Sequence, residues 1–321
     1  MDIEKAKEII NHVVSSTEQR WRQYETSWNE IDEVFIKRGY ERGGFEAWKF
    51  AEELDKAGIF SISELGKILP SELHCKSYDR DFAGSLSKTF YENAKKGVYG
   101  ENGRKFYHAV ECFLKRDARK GQSFWEILWQ MLQSCFFLER NFKGSFKSYL
   151  LEKFREIFNP AVNDLTKLEK AFLSLSYDEY SKLKKSILKE RKLAGIGPNM
   201  FDFIFADIKE SAFAKEIIKL DSSNIRFFKV TGIGKLFGFS INQDEEETKD
   251  KIRDFLKTLN LPYTVRQINE GVYTYCSRTE GERFGYCLSE DKCSSCAVRE
   301  LCDRDFKALE ERGVIKIFFD F

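Results

Sequence analysis

Leu193-Ala-Gly-Ile-Gly-Pro-Asn-Met-Phe201 decides the reading of the fold, because it interrupts two stretches of helical periodicity without extending either. Gly195 and Gly197, one residue apart, permit positive φ and close approach of another backbone. Pro198 suits the first position of a helix, where no N–H is needed. The preceding helix ends near Lys192 and the next is expected from Pro198 to Lys209, so the segment reads as helix, tight turn, helix. Such a turn presents the amides of residues 195–199 at the positive end of the second helix, a ready site for one phosphate of a nucleic-acid backbone. A phosphate contact positions the polymer but reads no sequence. Lys182, Lys184, Lys185, Lys189, Arg191 and Lys192 supply cations on the first helix. The same residues also fit a solvated helix face beside a capping glycine.

Downstream, Ile217-Ile-Lys-Leu-Asp-Ser-Ser-Asn-Ile-Arg-Phe-Phe228 places an acid after a short apolar run and before a helix start, where Asp221, Ser222 or Ser223 can each be the N-cap. Upstream, SFWEILWQMLQSCFFLE (123–139) is apolar almost all round and reads as the buried central helix of a second domain. Helices are expected at 145–158, 163–174 and 177–192, the last capped by Ser176. Residues 1–120 form an extra helical region whose segments IEKAKEIINHVV, FEAWKFAEELDKAG, SISELGKIL (capped by Ser61 or Ser63) and KFYHAVECFLKR carry apolar residues at helical spacing. Strand signals are confined to TVRQINEGVYTYC (264–276) and the terminal VIKIFFDF. The expected class is all-α, with residues 307–321 a tail that includes a candidate edge strand.

The balance of 53 Lys and Arg against 52 Asp and Glu, a formal +1, removes bulk basicity as an argument for a nucleic-acid partner, so any such face is local. Aromatics reach 15%, with 30 Phe, which reads first as a ring-filled core. No stretch reaches the ~20 apolar residues of a membrane span, and MDIEKAKEIINHVV lacks a secretory pattern. The expectation is a soluble, cytoplasmic protein without a membrane partner, nucleoid-associated in a bacterium or archaeon.

Of the 8 cysteines, half crowd into the run from Cys287 to Cys302. Clustered cysteines in an intracellular chain point to metal rather than to bridges. The spacing Cys287-x5-Cys293-x2-Cys296-x5-Cys302 gives four soft thiolates in one segment, matching a tetrahedral zinc site or a [4Fe–4S] cube. Structural zinc usually takes two close pairs; here a single close pair is flanked by wider gaps, which favours the larger cluster. Cys276 either substitutes for Cys287 or is simply buried.

The apolar helix, the Gly-x-Gly hairpin followed by an Asp segment, and the late four-Cys loop occur in a fixed order that resembles the helix-hairpin-helix DNA glycosylase superfamily, in particular its iron–sulfur branch containing endonuclease III and the MutY adenine glycosylase. The likeness covers residues 121–306 and is most specific in CSSCAVRELC, although the first gap of the loop is one residue shorter than the family's. It implies a two-lobed all-α fold with a [4Fe–4S] cluster on Cys287, Cys293, Cys296 and Cys302. It implies a DNA-phosphate hairpin at Lys192, Gly195, Ile196, Gly197 and Asn199, and a catalytic aspartate at Asp221. In the branch with lyase activity the hairpin carries a nucleophilic lysine where this chain has Asn199, and an amide cannot form a Schiff base. The implied activity is therefore that of a monofunctional, monomeric enzyme that excises a damaged or modified base flipped from double-stranded DNA. Two further positions depart from the family pattern. Phe201 stands where a small residue is usual, and the Asp segment holds one extra residue, so a register taken from Asn224 puts Ser222 at the aspartate's place. A non-catalytic DNA-binding module that recruits a partner through residues 1–120 is the alternative, and an iron–sulfur enzyme of another class the third. Residues 1–120 are either a separate helical domain or a segment that wraps the core, because in this family the start of the chain returns to pack with its end.

Overall fold

The computed structural model describes residues 1–41, 45–69, 89, 91–116, 123–158, 160, 162, 164–238, 245–277 and 283–307. Among these there is no β-strand. The helices are α1 (Ile3–Trp21), α2 (Ile31–Gly39), α3 (Ala47–Lys56), α4 (Ile62–Gly66), α5 (Gly100–Arg116), α6 (Ser123–Phe142), α7 (Phe146–Phe158), α8 (Leu165–Leu173), α9 (Tyr177–Lys189), α10 (Pro198–Phe205), α11 (Ser222–Thr231), α12 (Glu245–Thr258), α13 (Val265–Cys276) and α14 (Glu290–Ser294). Short 3₁₀ turns link several of them. Local chemistry fixes many starts: the hydroxyl of Ser61 accepts from the Glu64 amide, and Ser176 with Glu179 forms a capping box at α9.

The chain divides into two units, Thr26–Ile204 and Met1–Glu25 with Phe205–Phe321. The boundary expected near residue 120 is not where the chain divides. The reason lies in shared apolar surface. Rings from α3 and α5 meet one from α6, with Phe50 against Phe106 and Phe113 stacked on Phe124, their centroids 6.0 and 5.7 Å apart. Phe35 of α2 packs on Phe146 of α7 at 4.5 Å. Each such pair adds roughly 0.5–1.5 kcal/mol beyond area burial, so residues 26–116 cannot leave α6 and α7 without exposing a common core. Most of the buried aromatic rings among the described residues lie in this core. Central α6 is buried on most sides, as its all-round apolar pattern requires.

In the other unit the start of the chain packs with its end. Ala6, Ile9, Ile10, Val13 and Val14 form one buried stripe on α1, at the spacing of a single helical face, and the helix lies along α13. A Cβ built on Gly271 of α13 would stand 3.1 Å from the Cα of Val14, so glycine lets the two backbones approach closely. Phe227, Phe228 and Val230 of α11 join the same core, as do Ile252 and Leu256 of α12. The strand expectation for residues 264–276 is corrected here. Val265, Ile268, Val272 and Tyr275 repeat at helical spacing, and Thr264 with Gln267 makes a capping box, so period and cap override the β-branched and aromatic composition. The candidate edge strand VIKIFFDF lies outside the described residues. No helix among the described residues is long and apolar enough to cross a membrane.

Candidate functional site

The hairpin belongs to the unit Thr26–Ile204. Leu193 and Ile196 are buried, and the Ala194 carbonyl accepts hydrogen bonds from the Tyr40 hydroxyl at 3.3 Å and the Ser134 hydroxyl at 3.2 Å, so the turn is pinned from α6 and from the residue that ends α2. Gly195 has φ +76°, the left-handed region where glycine is at no disadvantage. Gly197 is different. Its φ is not positive and a Cβ there would meet nothing within 4 Å, so the fold itself does not demand glycine. The Gly197 N–H finds no acceptor among the described residues, and Pro198 begins α10 as expected. The hairpin thus offers open space beside a backbone amide at a helix N-terminus.

Lys182, Lys185, Lys189, Arg191 and Lys192 are exposed along and beyond α9. Lys184 is not part of that surface. It is 1% exposed, and its Nζ donates to both carboxylate oxygens of Asp202 at 3.0 and 3.1 Å, while the Tyr180 hydroxyl donates to Oδ1 at 2.8 Å. This buried group ties α9 to α10, the two arms of the hairpin. Phe201, where the family pattern has a small residue, is fully buried with its ring over that of Tyr180, so the larger side chain fills core between the same two helices. Gly197→Ala is expected to leave stability unchanged or raise it by up to about 1 kcal/mol, because the site tolerates a methyl group. On the reading of this turn as a phosphate site, affinity for duplex DNA, read by fluorescence anisotropy, should nevertheless fall several-fold. Unchanged affinity would remove the turn from the interface.

Asp221 lies in the other unit, as the N-cap of α11. Its Oδ1 accepts from the amides of Ser223 at 2.8 Å and Asn224 at 3.0 Å, while Oδ2 accepts no hydrogen bond among the described residues. Ser222 is the first helical residue and is exposed, so of the two registers it is Asp221 whose carboxylate sits at the turn's inner side. Burial pushes the Asp221 carboxyl above the ordinary carboxylate range; the Lys219 ammonium, then the Asn224 and Ser223 amides and the Arg226 guanidinium, pull against it. An ordinary exposed N-cap feels little of that burial. A carboxylate with one oxygen tethered, one uncommitted and a raised pKa can stabilise a developing cation or hold a water.

The cysteine loop docks on the core of the same unit through Phe284, Cys287 and Val298, with Tyr286, Leu301 and Phe306 packed around it. Backbone bonds from the Asp303 N–H to the Thr231 carbonyl and from Asp305 to Val230, each 3.0 Å, fix its end to α11. Cys287 lies in a 3₁₀ turn and Cys293 in α14. The Cys296 sulfur is 3.1 Å from the Tyr275 hydroxyl. Burial, then the proximity of Cys287, Cys296 and Cys293, pushes the Cys302 thiol up to about 12. Cys293 is raised by burial and then by Cys296 and Cys287, so all four thiols share one electrostatic neighbourhood. Four like-charged thiolates there repel unless a cationic group shares them, and the soft, all-sulfur donor set fits a thiolate-bound metal group. Among the described residues, no three His, Cys, Asp or Glu side chains are arranged to hold a metal ion. Cys276 is fully buried, and its hydrogen bond with Cys287 is the main influence raising that thiol.

Compared with known proteins, the chain matches no family model, no curated protein and no solved structure. Sequence reasoning missed Asn269, Arg226 and the Lys184–Asp202 pair. A polar residue inside an apolar helical pattern was the available signal for Lys184 and Asn269, but the pattern alone does not show what such a residue faces.

Proposed function

We propose that the protein is a monofunctional DNA glycosylase that removes a damaged or modified base from duplex DNA. The observation that carries this reading is the geometry of Asp221: tethered through Oδ1 to the start of α11, with Oδ2 accepting no hydrogen bond among the described residues. A nucleotide flipped from the duplex costs a few kcal/mol of unstacking, least at a lesion. The Asp221 carboxylate then stabilises the cationic sugar as the glycosidic bond breaks and accepts a proton from the attacking water. The Gly197 amide, with the backbone at Gly195 and Asn199 beside it, would grip one phosphate, whereas the Ile196 N–H already donates to the Leu193 carbonyl at 3.2 Å; Lys192 and the exposed lysines of α9 form the surrounding positive face. The side chain of Asn199 forms no Schiff base, so the product is an intact abasic site.

Cys287, Cys293, Cys296 and Cys302 would hold a [4Fe–4S] cluster, whose four irons are then fully ligated by protein so that the group supplies structure to the loop. A single tetrahedral ion with bonds of ~2.3 Å needs its sulfurs about 3.8 Å apart, whereas a cube takes one thiolate at each of four corners and spreads them. The wider placement is what the spacing of the loop favours. Anaerobically purified protein is expected to be brown, with broad absorbance near ~400 nm, a marker of thiolate-ligated iron–sulfur clusters. Cys302→Ser should lose colour and iron together while Cys112→Ser keeps both. Colourless wild-type protein that contains zinc would overturn the cluster. The glycosylase reading itself is tested by abasic-site formation on a panel of lesion-bearing duplexes, and binding without excision across that panel would instead favour a DNA-binding module.

A further inference from the structure

Asn269 of α13 is 5% exposed and acts on the backbone two residues before Asp221. Its Oδ1 accepts from the Lys219 N–H at 2.9 Å and its Nδ2 donates to the Lys219 carbonyl at 3.1 Å. One side-chain amide thus satisfies both polar groups of a residue in the short extended link that precedes α11, as a neighbouring strand would. On the other side of Asp221, the side-chain Nδ2 of fully buried Asn224 donates to the Asn269 carbonyl at 3.0 Å. The segment 219–224 is therefore held at both ends by one residue of α13, with Asp221 between the two attachment points.

From this geometry we infer that Asn269 is a positioning residue for Asp221: it fixes the height and direction from which the carboxylate meets the reacting sugar, without touching substrate itself. The inference rests on the glycosylase reading for its chemical consequence, but the clamp is a property of the chain alone. The physical need is plain. Asp221 is anchored by Oδ1 to two amides of its own helix turn, and those amides move with the segment. A displacement of about 1 Å at a reacting group costs on the order of 10²-fold in rate. Alanine at position 269 removes both bonds to Lys219. Aspartate keeps an acceptor for the Lys219 N–H but loses the donor to its carbonyl, and sets a charge beside it.

Two measurements on the full chain separate positioning from general stability. In amide hydrogen exchange, Asn269→Ala should lose protection at Lys219 while the middle of α1 and of α6 stays protected; uniform loss throughout, or none, overturns the clamp. In single-turnover excision, Asn269→Ala should lower the rate constant about 10²-fold, with duplex affinity within twofold of wild type. Asn269→Asp should fall between the two. A wild-type rate in Asn269→Ala overturns the positioning role. Should the wild-type chain excise nothing from any lesion tested, the glycosylase reading falls on its own, and the exchange pattern at Lys219 still decides whether Asn269 holds the segment.

Discussion

Asp221→Asn is expected to reduce base excision roughly 10³-fold, within the range found for removing a positioned acid or base, while duplex binding stays as in wild type. The substitution is close in shape and asparagine caps a helix as well as aspartate does, so the two amide bonds at the start of α11 survive. Only the charge goes. Its removal is expected not to weaken the fold at neutral pH, with the sign given by linkage. Folding raises the Asp221 carboxyl, so whatever stability its titration contributes is present below the ordinary carboxylate range and lost as pH rises through the raised value. At pH 7 the ionised group is therefore a cost that asparagine lacks, so the urea midpoint of the variant should match or exceed that of wild type. The same shift sets the pH profile. Excision by wild type should decline on acidification through a pKa above that of an exposed aspartate, and the residual activity of Asp221→Asn should lack that limb. Full activity in the variant, under single-turnover conditions on a lesion the wild type excises, would sink the catalytic assignment.

Lys184→Met should cost about 3–5 kcal/mol of stability, the usual penalty for stranding one member of a buried ion pair. Lys184 and Asp202 are each 1% exposed, and removing the ammonium leaves a buried carboxylate without its counter-charge, with the Tyr180 hydroxyl still donating at 2.8 Å. No surface lysine on α9 should approach this effect; Lys185→Met belongs within about 0.5 kcal/mol. The double variant Lys184→Met with Asp202→Leu should regain much of the loss, because replacing both charges by apolar groups removes the stranded carboxylate. The midpoint and slope of urea unfolding, followed by tryptophan fluorescence, give these values. A cost below about 1 kcal/mol for Lys184→Met would mean that the pair is not what joins the arms of the hairpin. If it is, the single variant should also weaken DNA binding, since the turn between Leu193 and Phe201 is carried by those arms.

The helices of this protein were legible from spacing and caps. Ser176 was identifiable as a cap, and Ser61 and Asp221 each as one of two or three adjacent candidates, because the capping bond forms within three residues of sequence. The turn at Gly195 was equally readable, since positive φ is a local demand. Residues 264–276 were misread as strand because Val, Ile, Thr and Tyr favour sheets by composition, whereas their four-residue rhythm and the Thr264–Gln267 box decide for helix. The division of the chain was not legible from periodicity; a return of its start to its end entered only as one of two alternatives, through the family resemblance. Nothing in IEKAKEIINHVV says that its apolar stripe meets α13 rather than its neighbours in sequence, and that meeting depends on the absent side chain at Gly271.

What the chain alone determined, then, is whatever is settled over a turn or two of backbone: the all-helical class, the hairpin at Gly195 and Gly197, a cap within Asp221–Ser223 and the four thiols grouped within one segment. Tertiary structure decided which of those groups are buried and against what. It withdrew Lys184 from the basic surface, raised Asp221, and brought Asn269 across to Lys219. Periodicity tells a residue which face of its helix it occupies, but desolvation and long-range hydrogen bonds depend on the element that face meets, and that choice is made only when distant apolar stripes pack together.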